Sequence, residues 1–452
     1  MFRRHDHESF LPPWSQMFSR TRARDLKVDL WNAFVDSDLL EICDADCSAI
    51  PRILPMSYLP TITSTCRDLT EFLMKFLSLP RRELEAILIP TPITDYLIKE
   101  LGILRHRHRR ITGSLRFDFA IEGTPRPGNL PKLLEINDIG FDGTGRSSYI
   151  QETLFTLVPS LKKRLRSLDT AGSEIANMRR LGKNILRLQC DDYNWEEEVL
   201  VRKAQARGVR LRLVSPAEFD VERDPDCSTL EHHDIVLRRG RIVIKGEDWP
   251  VHAVQMGFSF ELSDYQEGHD LYPMLVRSTT PQYSPFLTAL FAPKSTLVTL
   301  MDENLRRKFL GAHRARRLTP AIIPSWILRG AEDDLQRRYR HRVIKFTDGM
   351  GGEQVYLGKK ALAKARRLSP RERKDWVVQE RLQLNTIEVD GFLSRRRRAI
   401  CDLGAYVHYD WDGNRFTNFR VGGFITRATN RSLKVNVSGG GIQVPVMFDR
   451  AR

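Results

Sequence analysis

Arg116, Asp118, Glu135 and Asn137 are the residues of this chain whose types and spacing speak first of chemistry. They lie in two short alternating runs, Arg116-Phe117-Asp118-Phe119-Ala120-Ile121 and Lys132-Leu133-Leu134-Glu135-Ile136-Asn137, joined by a turn rich in proline and glycine. Runs of that kind predict a β-hairpin. In a strand, residues two apart share a face, so Arg116 sits with Asp118, and Glu135 with Asn137. Two carboxylates and an amide oxygen are hard ligands that suit Mg²⁺, and the guanidinium suits a phosphate or carboxylate. Taken alone, a surface hairpin with one polar face in water accounts for the same pattern.

A second set of candidates lies far downstream. In HRVIKFTDGMGGEQVYLG, residues 341–358, a β-branched strand carries Lys345 into Asp348-Gly349-Met350-Gly351-Gly352-Glu353 and then resumes. A glycine-rich turn between strands lets backbone N–H groups approach phosphate oxygens where a Cβ would intrude, and the lysine adds a mobile positive charge. It is neither a P-loop nor a Rossmann fingerprint leading into a helix. The run Asp375-Trp376-Val377-Val378-Gln379-Glu380-Arg381-Leu382 is an apolar strand ending in an amide and a carboxylate, which suits the edge of adenine or a ribose. Asp402 stands in the middle of the strand-like Ala399–Val407 run. The last block supplies Arg427 within Val421–Ala428, and a second glycine-rich turn, Asn436-Val437-Ser438-Gly439-Gly440-Gly441. Each of these pieces, met singly, is ordinary sheet and turn.

The elements that must position these groups follow from periodicity. Helical spacing predicts helices over Asp68–Leu79 and Arg81–Ile89, and another over Tyr149–Leu165. Strands at Asn184–Leu188, Val209–Val214 and Asp234–Arg238, with a helix over Trp195–Ala206, predict βαβ units and a parallel sheet, and Arg241–Lys245 can add an edge hairpin. A helix is predicted over Asp302–Leu310 and an extended connector over Thr319–Pro324. The remainder, from Val343, is strand-rich.

Length and composition set the frame. The chain has 452 residues, 41% hydrophobic and 29% charged, which is the make-up of a folded protein large enough for more than one domain. No apolar run is long enough to cross a bilayer, and the charged, proline-broken start lacks the apolar stretch of a secretory signal. The six cysteines are scattered and do not have zinc spacing, so a cytoplasmic protein with reduced thiols is expected. The net charge of +15 is concentrated in runs at Arg105–Arg110, Arg337–Arg342 and Arg395–Arg398. Such runs are solvated faces or a steering field for an anionic substrate. They leave an acidic carrier protein or tRNA open as a partner.

The order of parts resembles the ATP-grasp superfamily. The strand lysine, the glycine-rich flap, VVQE, GGFITRA and NVSGGG resemble its nucleotide-binding half. The upstream RFDF and KLLEIND pair resembles the metal-binding strands of the circularly permuted members, of which the synthetase domain of glutathionylspermidine synthetase is the familiar one. Pro293-Lys294-Ser295 is similar to a lysine element of that family. The resemblance covers about residues 111–445. It implies an α/β fold with an N-terminal mostly helical region (1–110), a metal-binding hairpin and following helix (111–180), a preATP-grasp-like parallel-sheet region (181–310) and an ATP-binding lobe (311–452).

It also implies roles. Asp118, Glu135 and Asn137 would hold Mg²⁺, Arg116 the γ-phosphate or acyl-phosphate, and Lys294 and Lys345 the ATP phosphates. Gly351 and Gly352 would form the phosphate flap, Gln379 and Glu380 would lie near adenine or ribose, and Arg427 would meet the transferring phosphoryl group. The activity implied is an ATP- and Mg²⁺-dependent carboxylate–amine ligase acting through an acyl-phosphate on a small-molecule or peptide acid and an amine. A phosphotransferase, or a nucleic-acid-binding protein without ligase activity, is the alternative, and a homodimer is the default assembly. The sequence departs from the polyamine-synthesising members after Asn137, where Asp138-Ile139-Gly140-Phe141-Asp142-Gly143 replaces their usual turn, and it lacks an N-terminal amidase domain. These departures argue against glutathione and spermidine as substrates. Substrate contacts are expected in 140–150 and 255–285, where Asp142, Arg146, Tyr265 and Arg277 stand.

Overall fold

The computed structural model describes residues 20–35, 46–105, 110–138, 143–189, 195–216, 230–257, 270–349, 354–391, 397–430 and 441–451. Within them a 15-stranded mixed sheet runs through the molecule, and a separate 4-stranded antiparallel sheet faces it. The fold is therefore mixed α/β. One half of the large sheet is antiparallel, built on Ile111–Ala120, Leu403–Trp411, Phe416–Thr429 and Ile442–Asp449. The other half is parallel, with Ala253–Met256, Asn184–Leu188, Arg210–Pro216 and Leu230–His233 side by side. The short strand Gln282–Tyr283 joins the halves, pairing with Ala253–Met256 on one side and with Thr112 on the other.

Alternation along Ile111–Ala120 explains how one strand serves core and chemistry together. Leu115, Phe117 and Phe119 are buried in the main core with Leu403, Ala405 and Val407, beneath the helix Leu59–Leu77. Ser114, Arg116 and Asp118 take the opposite face, part of which is covered by the helices Thr144–Leu157 and Thr170–Met178.

The 4-stranded sheet comprises Ser325–Ile327, Trp376–Glu380, Arg342–Phe346 and Val355–Leu357 in that order, all antiparallel. Its Ile344, Trp376 and Val378 pack against the helices Glu332–Arg338 and Lys359–Arg367 through Leu335, Ala361 and Ala365.

Several elements differ from what the sequence predicts. The helix expected from Asp68 begins at Leu59, with a proline in its first turn, and Asp68 is buried mid-helix and paired with Arg314 and Arg317. The helix expected over 149–165 starts earlier, at Thr144, behind Gly143 with φ 99°, and ends at Leu157 just before Pro159. Ile235–Arg238 does not enter the parallel sheet, since it pairs only with Arg241–Ile244 in a 2-stranded ribbon. The N-terminal region holds the helices Arg20–Val35, Leu59–Leu77 and Arg81–Ile87. It also adds two strands, Asp46–Cys47 and Arg52–Pro55, parallel to Ile442–Asp449.

Candidate functional site

The hairpin pairs Arg116 with Asn137 and Asp118 with Glu135, with a bulge after Asp118. On the other flank Gly404 stands opposite Asp118, and Tyr406 opposite Arg116. Residues opposed in an antiparallel ladder point to the same side, so all six lie on one face. Gly404 has no side chain where the face is most crowded. A Cβ there would lie 2.9 Å from Ile425 Cγ2, 3.2 Å from Asp118 Oδ1 and 3.3 Å from Arg116 Cδ. Gly404→Ala is expected to displace the Arg116–Asp118 pair and lower stability by about 1–3 kcal/mol. An unfolding midpoint equal to wild type would show that the face has room to spare.

Asp118 is the hub of the charges. It accepts from Arg116 Nε at 2.9 Å, from Arg427 Nη2 at 2.7 Å and from Asn137 Nδ2 at 2.9 Å. Arg427 is aimed by Asp402, which accepts from its Nε and from its backbone N–H, both at 2.9 Å. The N-terminal strand contributes Arg52, whose Nη1 donates to the Asp402 carbonyl at 2.7 Å and to Thr426 Oγ1 at 3.1 Å. Burial opposes the charge on Arg116 and Arg427, yet Asp118 beside both holds their pKa values above the usual guanidinium range. Burial also pushes the Asp402 carboxyl up, against the pull of Arg427.

Two lysines reach this face from the opposing sheet and its connector. Lys345, on Arg342–Phe346, donates to the Leu134 carbonyl at 3.2 Å. Lys294, at the start of the helix Ser295–Thr299, pairs with Glu135 Oε1 at 2.7 Å and donates to the Gly349 carbonyl. Its own backbone N–H bonds the Thr347 carbonyl at 2.8 Å. Burial disfavours ionised Glu135, but Lys294, Lys345 and Arg427 together bring its carboxyl down to about 2. Burial brings Lys345 down to about 8, with Lys294 adding to the effect and Glu135 resisting it.

The remaining sequence candidates separate. Val343 pairs with Gln379, and Lys345 with Val377, so Gln379 shares the Lys345 face, buried and donating to Ser325 Oγ at 3.2 Å. Glu380 pairs with Arg342 and alternates to the opposite face, so its side chain is not brought to Lys345. Arg146 lies in the first turn of the helix Thr144–Leu157, not in a loop, with Nε 3.6 Å from Glu196 Oε2. Arg277 ends the helix Leu271–Arg277 and is exposed, donating to its own Pro273 carbonyl. Gly351, Gly352, Asp142, Tyr265 and the 436–440 turn lie outside the described residues. Sequence reasoning assigned no role to Asp402, Arg52, Gly404 or Tyr406. Of these only Asp402, a charge inside an apolar run, carried a signal.

Two of the arginine runs spend a member on internal ion pairs. Arg110 grips Asp410 through Nε at 2.9 Å and Nη2 at 2.6 Å, and Arg342 Nε bonds Asp334 at 2.6 Å. Among the described residues, Glu231, His233 and Glu247 also cluster, but Arg212 already bridges both glutamates.

The convergent face thus carries four cationic side chains around Asp118, Glu135, Asn137 and Asp402. Asn137 turns its amide N–H toward Asp118, which leaves its carbonyl oxygen as the end available to a cation. Carboxylate and amide oxygens among guanidinium and ammonium groups fit a divalent ion with a polyphosphate. No protein-family model and no curated protein matches the chain. Its fold is similar to that of a glutathione synthetase-like effector (GSS30) from Globodera pallida, solved in its apo form. The TM-score is 0.66 at 13% sequence identity, and the match covers 98% of this chain and 99% of that one. At that identity the likeness is one of fold. No helix among the described residues is long and apolar enough to cross a membrane.

Proposed function

We propose that the chain is an ATP- and Mg²⁺-dependent carboxylate–amine ligase of the circularly permuted ATP-grasp type. The observation that carries this reading is the convergence of Arg116, Asp118, Glu135 and Arg427 on one sheet with Lys294 and Lys345, the latter from the facing sheet. A fold similar to that of a glutathione synthetase-like protein supports it.

Lys294 and Lys345 would hold the α- and β-phosphates, and Arg116 and Arg427 the γ-phosphoryl oxygens. Gln379 would face the base, Glu380 would contribute only its backbone, and Gly351 and Gly352 would close over the phosphates. Asp118, Glu135 and Asn137 would hold Mg²⁺, which when bound neutralises charge on the phosphoryl oxygens. The substrate carboxylate attacks the γ-phosphorus and displaces ADP, giving an acyl-phosphate. The amine then attacks the acyl carbon, a C–N bond forms, and phosphate leaves with the electrons of the C–O bond. The arginines offset the charge that builds on the transferring group, so positioning and electrostatics suffice without a side-chain nucleophile.

The test is ADP release across a panel of amino acids, polyamines and peptides, with mass spectrometry of products. An amide formed in step with ADP is expected, and Glu135→Gln is expected to lower it by about a thousandfold or more while the fold persists. ADP released with a phosphorylated hydroxyl product would assign a phosphotransferase. Full turnover by Glu135→Gln would remove that residue from the metal site.

A further inference from the structure

Cations are concentrated on one face of the 4-stranded sheet, and it is not the face of Lys345. Residues 359–374, KKALAKARRLSPRERK, hold eight lysines and arginines and a single acid, Glu372. The helix Lys359–Arg367 buries Ala361 and Ala365 against Ile344, Trp376 and Val378, which alternate to the opposite side from Lys345 and Gln379. Its charges therefore point outward. Lys359, Lys360, Arg366, Arg367, Arg371 and Lys374 are all exposed, and none has an ion-pair partner among the described residues. The helix Glu332–Arg338 lies in the same layer and adds Arg337, while its acidic first turn pairs Glu332 with Arg373 at 3.4 Å and Asp334 with Arg338 at 3.9 Å.

This differs from the other basic surfaces of the molecule. On the helix Glu303–Leu310, Arg307 is paired with Glu303 and Lys308 with Glu83. Lys364 lies over the Trp376 ring, 5.0 Å from its centroid, so the outward charges of this helix are Lys359, Lys360, Arg366 and Arg367.

An aromatic group stands on the same side of the sheet, at the edge away from the strand Val355–Leu357 on which the basic helix packs. Trp326, on the edge strand of the sheet, is 39% exposed. The Arg342 guanidinium lies 5.2 Å from its ring centroid and is anchored by Asp334 of the helix Glu332–Arg338. Unpaired cations track a phosphodiester backbone, and an exposed aromatic ring supplies a stacking platform for an unpaired base. An acidic protein offers carboxylates to the cations, but only a nucleic acid pairs every anionic group along its backbone with a planar base.

We infer that this helical face of the 4-stranded sheet binds single-stranded nucleic acid, with the cations of 359–374 on the phosphates and Trp326 against a base. The site is separate from the phosphate-facing side and does not depend on ligase activity.

The test is fluorescence anisotropy of the full-length chain with a labelled oligouridylate of about 20 nucleotides, titrated between 50 and 200 mM KCl. If about five phosphates are neutralised, affinity is expected to fall about a hundredfold over that range. The pair Lys360→Glu and Arg367→Glu is expected to weaken binding at least about tenfold at low salt and to flatten the salt slope. Trp326→Ala is expected to weaken it about tenfold with the slope unchanged. Thermal unfolding of the charge-reversal variant should match wild type, Trp326→Ala should remain folded at the assay temperature with a lower midpoint, and ADP release should not change in either. Binding untouched by the charge reversal would overturn the inference. So would Trp326→Ala binding like wild type, and so would polyglutamate of equal length displacing the oligonucleotide at equal concentration, which would point to an acidic protein.

Discussion

Asp118→Ala is expected to abolish ATP-dependent turnover and, with it, about 3–5 kcal/mol of stability. The second effect follows from where Asp118 sits. It is 1% exposed and lies between Arg116 and Arg427, both of which it holds in charge balance. Arg427 keeps Asp402 in the variant, but Arg116 loses the carboxylate that its Nε and Nη2 both bond. A buried guanidinium then loses the carboxylate nearest to it while a second guanidinium stays close by. Loss of activity in this variant cannot be read as loss of a metal ligand alone. A thermodynamic cycle separates the two causes, because Asp118→Ala combined with Arg116→Leu should regain part of the stability and none of the turnover. An Asp118→Ala chain that unfolds at the wild-type denaturant midpoint would show that the guanidiniums do not depend on it.

Lys345→Met is expected to remove turnover by about a thousandfold or more without weakening the fold. Burial has lowered this lysine to about 8, so the folded protein holds the proton less tightly than the unfolded chain does. Its charge therefore costs stability in full below pH 8, and the cost is lifted as pH rises from about 8 toward the ordinary lysine value. Methionine removes the cost, and stability at pH 7 should equal or exceed wild type. A bound triphosphate favours the charged amine, so ATP binding should take up a proton at pH 9 and not at pH 6.5. Calorimetry in two buffers of unlike ionisation enthalpy measures this directly. Absence of any buffer dependence at pH 9 in the wild-type chain would place the phosphates away from Lys345. Glu135 behaves oppositely: its carboxyl is depressed to about 2, so its contribution is present above the ordinary glutamate value and is lost as pH falls through about 2.

The hairpin was legible because period-2 alternation is local: six residues suffice to sort Arg116 and Asp118 from Phe117 and Phe119. What surrounds Asp118 was not legible. Asp402 meets Arg427 across the two arms of the hairpin Leu403–Trp411 and Phe416–Thr429, whose register two bulges shift, and Lys294 meets Glu135 only once two sheets face each other. Arg52 is further still from its partners in sequence. The placing of Gln379 and Glu380 together at the base conflicts with a rule the sequence already contains, since neighbours in a strand cannot share a face. The ribbon at 235–244 shows the converse limit: strand propensity identified it, but not the sheet it would avoid. The run at 359–374 escaped notice because its charges are interrupted by alanines, the very residues that fix which way the charges face.

The strand Arg52–Pro55 lies in register beside Val446–Asp449, with Arg52 reaching on to Asp402. A contact so remote along the chain raises the contact order of the fold and adds a loop-closure cost that grows only slowly with length. During synthesis the segment near residue 50 emerges long before the strand it needs. The frame around Asp402 is therefore complete only when the strand Ile442–Asp449 has been made.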